Sequence, residues 1–255
     1  MQPSLPKITL TGLLTLTSVT TFAEVEPKSK SKGELTGNVA LLNKYIYRGS
    51  EENDDVSLQI GFEYAHQSGL FIGYWGSNLN YNPAISDKSS GIENDLYMGY
   101  QKEVTEDLSF RSQLTVYVYS NAGNVYEDRD KRSTNGYELI NTMTYKELTL
   151  GASVMLADAS YANAGDVYVS AAHSYALPYD FSLNSSVGFS FNNDRRDDAV
   201  LTTSKTTTFT EARLGVSKDF AETGLQFTLD YIWGGKTRTG DNFDNYTVFG
   251  MNYSF

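Results

Sequence analysis

The 255-residue chain contains no cysteine, only two histidines and only five prolines. The absence of cysteine excludes a disulfide framework, thiol catalysis and cysteine metal sites. The chain also lacks an uninterrupted apolar run of about twenty residues, which a transmembrane helix needs. There are 20 Lys and Arg against 31 Asp and Glu, a formal net charge of -11, and this balance argues against a nucleic-acid partner.

The abundant residues are those of strands and turns: Tyr, Thr, Ser, Gly and Asn, with 19 Tyr and 21 Gly. Beyond Glu34, apolar and polar residues alternate strictly, as in Val56, Leu58, Ile60 and Phe62 with polar residues and glycine between them. Such alternation predicts strands with one apolar and one polar face. The predicted strands span 34–48, 56–66, 69–79, 91–102, 106–120, 134–146, 148–158, 166–176, 180–192, 204–218, 224–235 and 243–255.

The lengths and connections of these strands favour a membrane protein. Roughly ten tilted residues are needed to cross the hydrocarbon layer. Short connections, such as 66–69 and 103–106, alternate with longer polar ones, such as 121–133 and 193–203, as in bacterial barrels. We therefore predict an all-β fold over 34–255, an antiparallel transmembrane β-barrel of about 12 strands, with about 10 to 14 allowed by the loose boundaries.

The first residues have the features of an export signal. Met1 to Ala23 carries a single charge and a mildly apolar stretch, and Thr21 and Ala23 have the spacing of a signal-peptidase site. We expect 1–23 to be a signal peptide and the polar segment 24–33 to be a short disordered periplasmic tail. Export and the barrel together predict the cell outer membrane as the location.

The polar face of the strands carries charges of both signs. In a barrel the apolar residues face lipid and the polar ones face a wet interior. Two interpretations remain open for the charges, which either line a pore and set its ion preference or pair across a narrow lumen and plug it. The predicted pore-lining residues are Arg48, Glu63, Asp95, Arg111, Glu138, Glu211, Arg213 and Asp230.

Aromatic residues near strand ends predict interface girdles, because their amphipathic rings prefer headgroup depth. The predicted girdle residues are Tyr45, Tyr47, Trp75, Tyr100, Tyr231 and Trp233.

The tenth predicted strand fits the alternation of apolar and polar faces less well, since its outward residues would include Thr208 and Thr210.

The last strand ends on a terminal aromatic residue preceded by alternating apolar ones. The residues concerned are Phe249, Met251, Tyr253 and Phe255. This ending resembles the signal by which the barrel-assembly machinery recognises outer-membrane strands.

A segment near the start of the barrel resembles the opening of the TorF-type putative porin family. That family's pattern contains GNV, then Y-x-aromatic-RG-S, and later H-x-SG and W-x-SN. After Ser50 the chain departs from it, because Glu51-Glu52 and Asp54-Asp55 stand where the family often has Gln and Pro-Ala. The resemblance implies an outer-membrane barrel and supplies no substrate. The matching residues are Gly37, Asn38, Val39, Tyr45, Tyr47, Arg48, Gly49, Ser50, Gly61, Glu63, Tyr64, His66, Ser68, Gly69, Gly73, Trp75, Ser77 and Asn78.

Enzymatic and metal-binding interpretations have weaker support. His66 lies near Ser68, which suits the chemistry of a tight turn better than a catalytic pair, and His173 falls on the outward face. Acidic loops, such as Asn53 to Asp55, lack the spacing of a calcium loop and are better explained as solvated loops that contact lipopolysaccharide. We predict no enzyme activity and no cofactor.

The sequence therefore predicts an outer-membrane porin-like channel for passive diffusion of small polar solutes or ions through a narrow polar lumen. Outer-membrane lipid, lipopolysaccharide and the barrel-assembly machinery are the other expected partners. The alternative is a closed structural or adhesive barrel that binds a partner through its acidic extracellular loops.

Overall fold

A computed structural model describes residues 32–82, 90–120, 124–127, 130–194, 201–220 and 222–255, where the chain forms sixteen strands. Over the same ranges, no helix has the length and apolar character needed to span a bilayer. The predicted signal peptide lies outside the described residues, as does most of the predicted tail. The strands are β1 (Gly33–Leu42), β2 (Tyr45–Tyr47), β3 (Ser50–Asn53), β4 (Ser57–His66), β5 (Leu70–Leu79), β6 (Gly91–Thr105), β7 (Leu108–Tyr119), β8 (Asn124–Glu127), β9 (Asp130–Ser133), β10 (Gly136–Tyr145), β11 (Leu148–Met155), β12 (Val167–Leu177), β13 (Phe181–Phe191), β14 (Thr207–Phe220), β15 (Leu225–Gly234) and β16 (Tyr246–Ser254).

Twelve of these strands form one closed antiparallel barrel, in the order β1-β16-β15-β14-β13-β12-β11-β10-β7-β6-β5-β4. The ring closes between the first and last strands, where Asn38 pairs with Ser254 and Leu42 with Gly250. Closure removes the free edges whose unpaired N–H and C=O groups are costly in hydrocarbon. The prediction of an all-β, twelve-stranded antiparallel barrel is confirmed.

Tight turns join the strands at one end of the barrel, where both termini of the barrel also lie. In the first of these turns Gly69 has a φ of 91°. A Cβ there would lie 2.4 Å from the Gln101 carbonyl oxygen, so the turn requires glycine. The long connections meet at the other end. The tight turns lie between His66 and Leu70, Thr105 and Leu108, Tyr145 and Leu148, Leu177 and Phe181, and Phe220 and Leu225.

The outer face of the barrel is apolar. Leu58, Ile72, Leu96 and Leu229 are exposed there, while the residues between them point inward. Because successive side chains of a strand alternate between the two faces, the period-2 pattern of the sequence produces this division directly. Among the predicted girdle residues, those on the outer face are Tyr100, Tyr231 and Trp233.

The first strand is shorter than its pattern indicated, because it ends at Leu42 and the chain then turns into the barrel. Tyr45 is 2% exposed and packs edge-on against Trp75, which is 3% exposed, with ring centroids 5.6 Å apart. The girdle prediction is therefore wrong for both residues. It is also wrong for Tyr47, which packs against the same interior cluster.

The tenth barrel strand, β14, contains an irregularity that explains its weak pattern. Gly188 pairs with Glu211 but Phe189 pairs with Phe209, so Thr210 is the extra residue of a bulge. A bulge shifts the alternation by one residue. Thr208 and Thr210 are consequently buried inside the barrel, and their predicted outward position is wrong.

A charge on the lipid face tests the orientation of the sheet. Leu229 lies at the middle of β15 and faces outward. We expect Leu229→Arg to lower the free energy of unfolding by about 2–4 kcal/mol, because a cation at mid-membrane depth is desolvated. Leu35→Arg, near an end of β1, is the control and should cost only about 0–1 kcal/mol. Denaturant titration in lipid vesicles measures both, and equal losses would contradict the orientation.

Candidate channel interior

Strands β2 and β3 form a hairpin that folds into the barrel, here called the inner hairpin (45–53). Tyr47 pairs with Ser50, and between them Arg48 and Gly49 have φ values of 49° and 81°, as in a two-residue type I′ loop. At Gly49 a Cβ would also lie 2.8 Å from the Thr210 carbonyl oxygen. The Tyr-Arg-Gly-Ser part of the family-like pattern is thus the tip of this hairpin.

One side of the inner hairpin is anchored by apolar contacts. Ile46 is buried in a cluster with Leu42, Ile232 and Val248, which belong to β1, β15 and β16. The Arg213 guanidinium on β14 also donates a hydrogen bond of 3.1 Å to the Ile46 carbonyl oxygen. Burial of these side chains from water holds the hairpin against this wall.

The tip of the inner hairpin is anchored by an ion pair on β10. Arg48 donates from Nη1 and Nη2 to the two Glu138 carboxylate oxygens, at 2.8 and 3.2 Å, and from Nη2 to Ser153 Oγ at 3.0 Å. Glu138 is 1% exposed and also accepts hydrogen bonds from the Tyr117 hydroxyl at 2.5 Å and from Ser153 Oγ at 2.7 Å. The guanidinium lies 4.4 Å from the ring centroid of Tyr168. The pair is bidentate and both carboxylate oxygens accept further hydrogen bonds, which favours a buried ion pair, whereas Arg48 Nε has no hydrogen-bond partner among the described residues.

The two anchors lie on opposite walls. Strands β16 and β10 are six places apart in the ring of twelve. The inner hairpin therefore crosses the interior of the barrel rather than following one wall.

Two further ion pairs lie inside the barrel. Arg111 donates to both Glu63 oxygens, at 3.1 and 2.8 Å, and its guanidinium lies 3.5 Å from the ring centroid of Phe71. Arg213 and Glu211 form an ion pair of 2.9 Å between Nη2 and Oε2. Each interior arginine thus neutralises one carboxylate.

The remaining two predicted pore-lining residues have no such partner. Asp95 Oδ1 and Asp230 Oδ2 are buried, and neither atom forms a hydrogen bond in the described part of the chain. All eight predicted residues thus lie inside the barrel, six of them in the three ion pairs. Ion pairing explains why six of these charged side chains are tolerated inside the barrel. It does not explain the interior position of Asp95 and Asp230.

Further acidic residues lie inside the barrel beyond the eight predicted ones. Glu93 lies two residues before Asp95 on β6, at the same parity, so the alternation alone was sufficient to identify it. Glu52 belongs to the inner hairpin, and no strand pattern indicates that it turns inward. Burial raises the pKa of the Glu52 carboxyl, although hydrogen bonds from Tyr81 and Ser50 oppose this shift.

The two histidines occupy the places that their patterns predict. His66 Nδ1 lies 2.8 Å from Ser68 Oγ and accepts the Ser68 N–H at 3.2 Å, all within one tight turn. His173 is exposed on the outer face of β12. In the described ranges, no group of three or more His, Asp or Glu side chains is arranged to hold a metal ion.

The last residue of the chain lies beside the first barrel strand at the tight-turn end. Phe255 exchanges backbone hydrogen bonds of 2.9 and 3.0 Å with Gly37. Its side chain faces outward, as do Phe249, Met251 and Tyr253. Their role as an assembly signal stays a prediction.

A hydrogen-bond network joins three connections at the long-loop end. Arg238 donates to both Asp166 oxygens at 2.8 and 2.9 Å, and the Asn193 N–H donates to Asp166 Oδ1 at 2.7 Å. Asn163 donates to the Leu201 carbonyl oxygen at 3.0 Å. These contacts hold part of the loop region in place above the barrel wall.

A family model described as "Bacterial protein of unknown function (Gcw_chp)" matches residues 26–248. The chain belongs to this family. No curated protein matches the sequence of this Gcw_chp-family chain.

Several solved structures are similar to the Gcw_chp-family chain. KdgM porin is 7% identical, with 86% of this chain and 99% of that chain covered and a TM-score of 0.49. An outer membrane channel from Pseudomonas putida F1 is 11% identical, with 91% and 99% covered and a TM-score of 0.49. A structure from work on the in-meso crystallization of membrane proteins is 9% identical, with 88% and 83% covered and a TM-score of 0.50. At such identities the likeness concerns the fold alone. The closed barrel and its apolar outer face are what place the chain in the bacterial outer membrane.

Removal of one partner tests the anchor at the hairpin tip. We expect Glu138→Gln to lower the free energy of unfolding by about 3–5 kcal/mol, because the buried Arg48 then lacks its counter-charge. Glu63→Gln, at a more exposed ion pair, is the matched control and should cost about 0–1 kcal/mol. Denaturant unfolding in detergent micelles measures the difference, and similar costs for both variants would show that the tip is not held by this pair.

Proposed function

We propose that the protein is an outer-membrane porin-like channel, through which small polar solutes or ions diffuse passively. The solutes pass along hydrogen-bonding walls, and no covalent chemistry takes part. The proposal rests mainly on one observation, the buried polar groups of the inner wall that lack protein partners.

These groups lie on several walls of the interior. They include Gln59 Oε1 on β4, Ser170 Oγ on β12, and Thr228 Oγ1 and Asp230 Oδ2 on β15. Nearly all buried polar groups in folded proteins have a hydrogen-bond partner, and water is the usual partner when the protein supplies none. The distribution of these groups supports a hydrated interior around the inner hairpin.

The width of the interior supports passage of small solutes only. Eight strands are filled by their own side chains and sixteen leave an open channel, so twelve form an intermediate ring. The inner hairpin narrows this ring further. Small ions and compact polar solutes are therefore the class that fits.

The interior charges support a preference for cations. Arg48, Arg111 and Arg213 each face a paired carboxylate. Asp95 and Asp230 remain without an ion pair in the described ranges. A surplus of carboxylates in a narrow pore attracts cations and repels anions.

The inner hairpin also supports the alternative function. Its anchors on two opposite walls suit a closed structural or adhesive barrel that binds a partner, or lipopolysaccharide, through acidic outer loops. Deletion of 121–133 and 193–203 separates the two functions. Lost surface binding with unchanged permeability would favour the adhesive barrel.

Other parts of the proposal rest on the sequence alone. They are membership of the TorF-type porins, cleavage of the signal peptide after Ala23, and recognition of the last strand by the barrel-assembly machinery. N-terminal sequencing of the mature protein tests the cleavage site, for which we expect Glu24 as the first residue.

Two measurements test the channel itself. Gel mobility that changes on boiling would establish the folded barrel in the purified protein. Discrete conductance steps in a planar bilayer would then support the channel. A folded barrel without such steps would overturn it.

Release of the inner hairpin should widen the path. We expect Ile46→Asp to raise the single-channel conductance, because a carboxylate is not tolerated in the apolar cluster with Leu42, Ile232 and Val248. Ile46→Val keeps the apolar contact and should leave the conductance unchanged. Unaltered conductance in a correctly folded Ile46→Asp variant would show that the hairpin does not limit the path.

A further inference from the structure

Three carboxylates border one aromatic cluster between the inner hairpin and the facing wall; they are called the acidic cluster and comprise Glu52, Glu93 and Asp95. Glu93 and Asp95 are alternate residues on the inner face of β6, and Glu52 lies on β3. Tyrosine hydroxyls donate to the cluster, from Tyr81 to Glu52 and from Tyr119 to Glu93 at 3.0 Å.

Asp95 is the member whose hydrogen bonding is incomplete. The residue is 6% exposed, yet Oδ1 has no hydrogen-bond partner in the part of the chain that the structure describes. The hydroxyl of Tyr117, its register partner on β7, donates to Glu138 instead. Trp75, its register partner on β5, also has an indole N–H without a partner among the described residues. A cation at this place would pair with the Asp95 carboxylate, and a water of its hydration shell would accept the indole N–H.

No positive charge of the described protein pairs with the acidic cluster. The three interior arginines, Arg48, Arg111 and Arg213, form ion pairs with other carboxylates. A buried carboxylate without a counter-charge is unfavourable, and it is relieved either by uptake of a proton or by a cation from solution.

Aromatic rings surround the same place. Tyr45 and Trp75 form the buried centre of an aromatic cluster, and Tyr47, Tyr97 and Tyr119 pack against it. Arg48 already lies over the Tyr47 ring, and Arg111 lies over the Tyr97 ring. The faces of the remaining rings attract cations and add to the attraction of the carboxylates.

We propose that the acidic cluster is a binding subsite for a solute that carries one positive charge, either an inorganic monovalent cation or the ammonium group of an amine. The carboxylates are not grouped as a metal-holding set in the described chain, which disfavours a divalent metal ion. The subsite lies on the side of the inner hairpin that faces β5, β6 and β7. Apolar contacts close the opposite side. A role of the subsite in solute passage rests on the channel function proposed above. The binding of a cation does not depend on that function.

Fluorescence of Trp75 tests binding without a conductance measurement. The chain has two tryptophans, and Trp233→Phe removes the one on the outer face. The folded variant is titrated with potassium chloride and, separately, with methylammonium chloride, and the same variant with Asp95→Asn added is titrated in parallel as the control for ionic strength. We expect a saturable change in emission with at least one of the two cations, and its loss when Asp95→Asn is added. The cation that gives the change identifies the source of the positive charge.

Ion selectivity provides the second test. The reversal potential of single channels in a potassium chloride gradient measures the permeability ratio of potassium to chloride. We expect Asp95→Asn to lower this ratio about fivefold. Two unit charges about 4 Å apart in water interact by about 1 kcal/mol, which corresponds to a factor of about five. Asp107→Asn removes one negative charge at an exposed tight turn and is the control, with an unchanged ratio expected.

The outcomes separate the subsite from the channel. Conductance without a saturable Trp75 signal would overturn the subsite and leave the channel function intact. A saturable signal without conductance would support the subsite and overturn the channel. An Asp95→Asn variant that folds and binds as tightly as its parent would overturn the subsite. This result is expected if Asp95 is protonated, and therefore uncharged, in the parent protein. Should Asp95→Asn fail to fold, Glu93→Gln provides the same comparison.

Discussion

The structure depends on one constraint, that every backbone N–H and C=O group inside a membrane must find a partner within the protein. A strand satisfies its groups only through its neighbours, so the sheet has to close on itself. The pairing of β1 with β16 completes the ring and leaves each of the twelve strands with two neighbours. Once the ring is closed, lipid contacts one face and the other encloses an interior, and the alternation of side chains follows from this geometry.

A ring of twelve strands encloses more space than its own side chains fill, and the inner hairpin occupies part of it. The hairpin is held by unlike interactions at its two sides. Ile46 is buried among apolar side chains, whereas Arg48 is held by a bidentate ion pair with Glu138. This asymmetry leaves polar groups on the side of the acidic cluster, where Asp95 has no ion-pair partner among the described residues. The anchors and the proposed subsite are therefore two consequences of one folded segment.

The strands were predictable because their signal is local. The pattern over 180–192 reproduces β13, Phe181–Phe191, nearly to the residue. The same reasoning failed where the backbone leaves the regular ladder. Tyr45 continues the alternation of β1, yet the chain has already turned inward after Leu42, and nothing in a period of two marks that turn. At Thr210 a single extra residue reversed the faces, and only the pairing of β13 with β14 reveals it.

The amino-acid sequence by itself determined the fold class, a strand number of about twelve, the two faces of the regular strands, and the inward position of the seven charged residues that lie on barrel strands, because alternation depends only on adjacent residues. The tertiary structure alone decided which charges meet. Arg48 and Glu138 are 90 residues apart in the chain, and their contact exists because the hairpin folds across a closed ring. The tertiary structure likewise decided that Asp95 has no ion-pair partner among the described residues, because this depends on which side chains the fold brings near it.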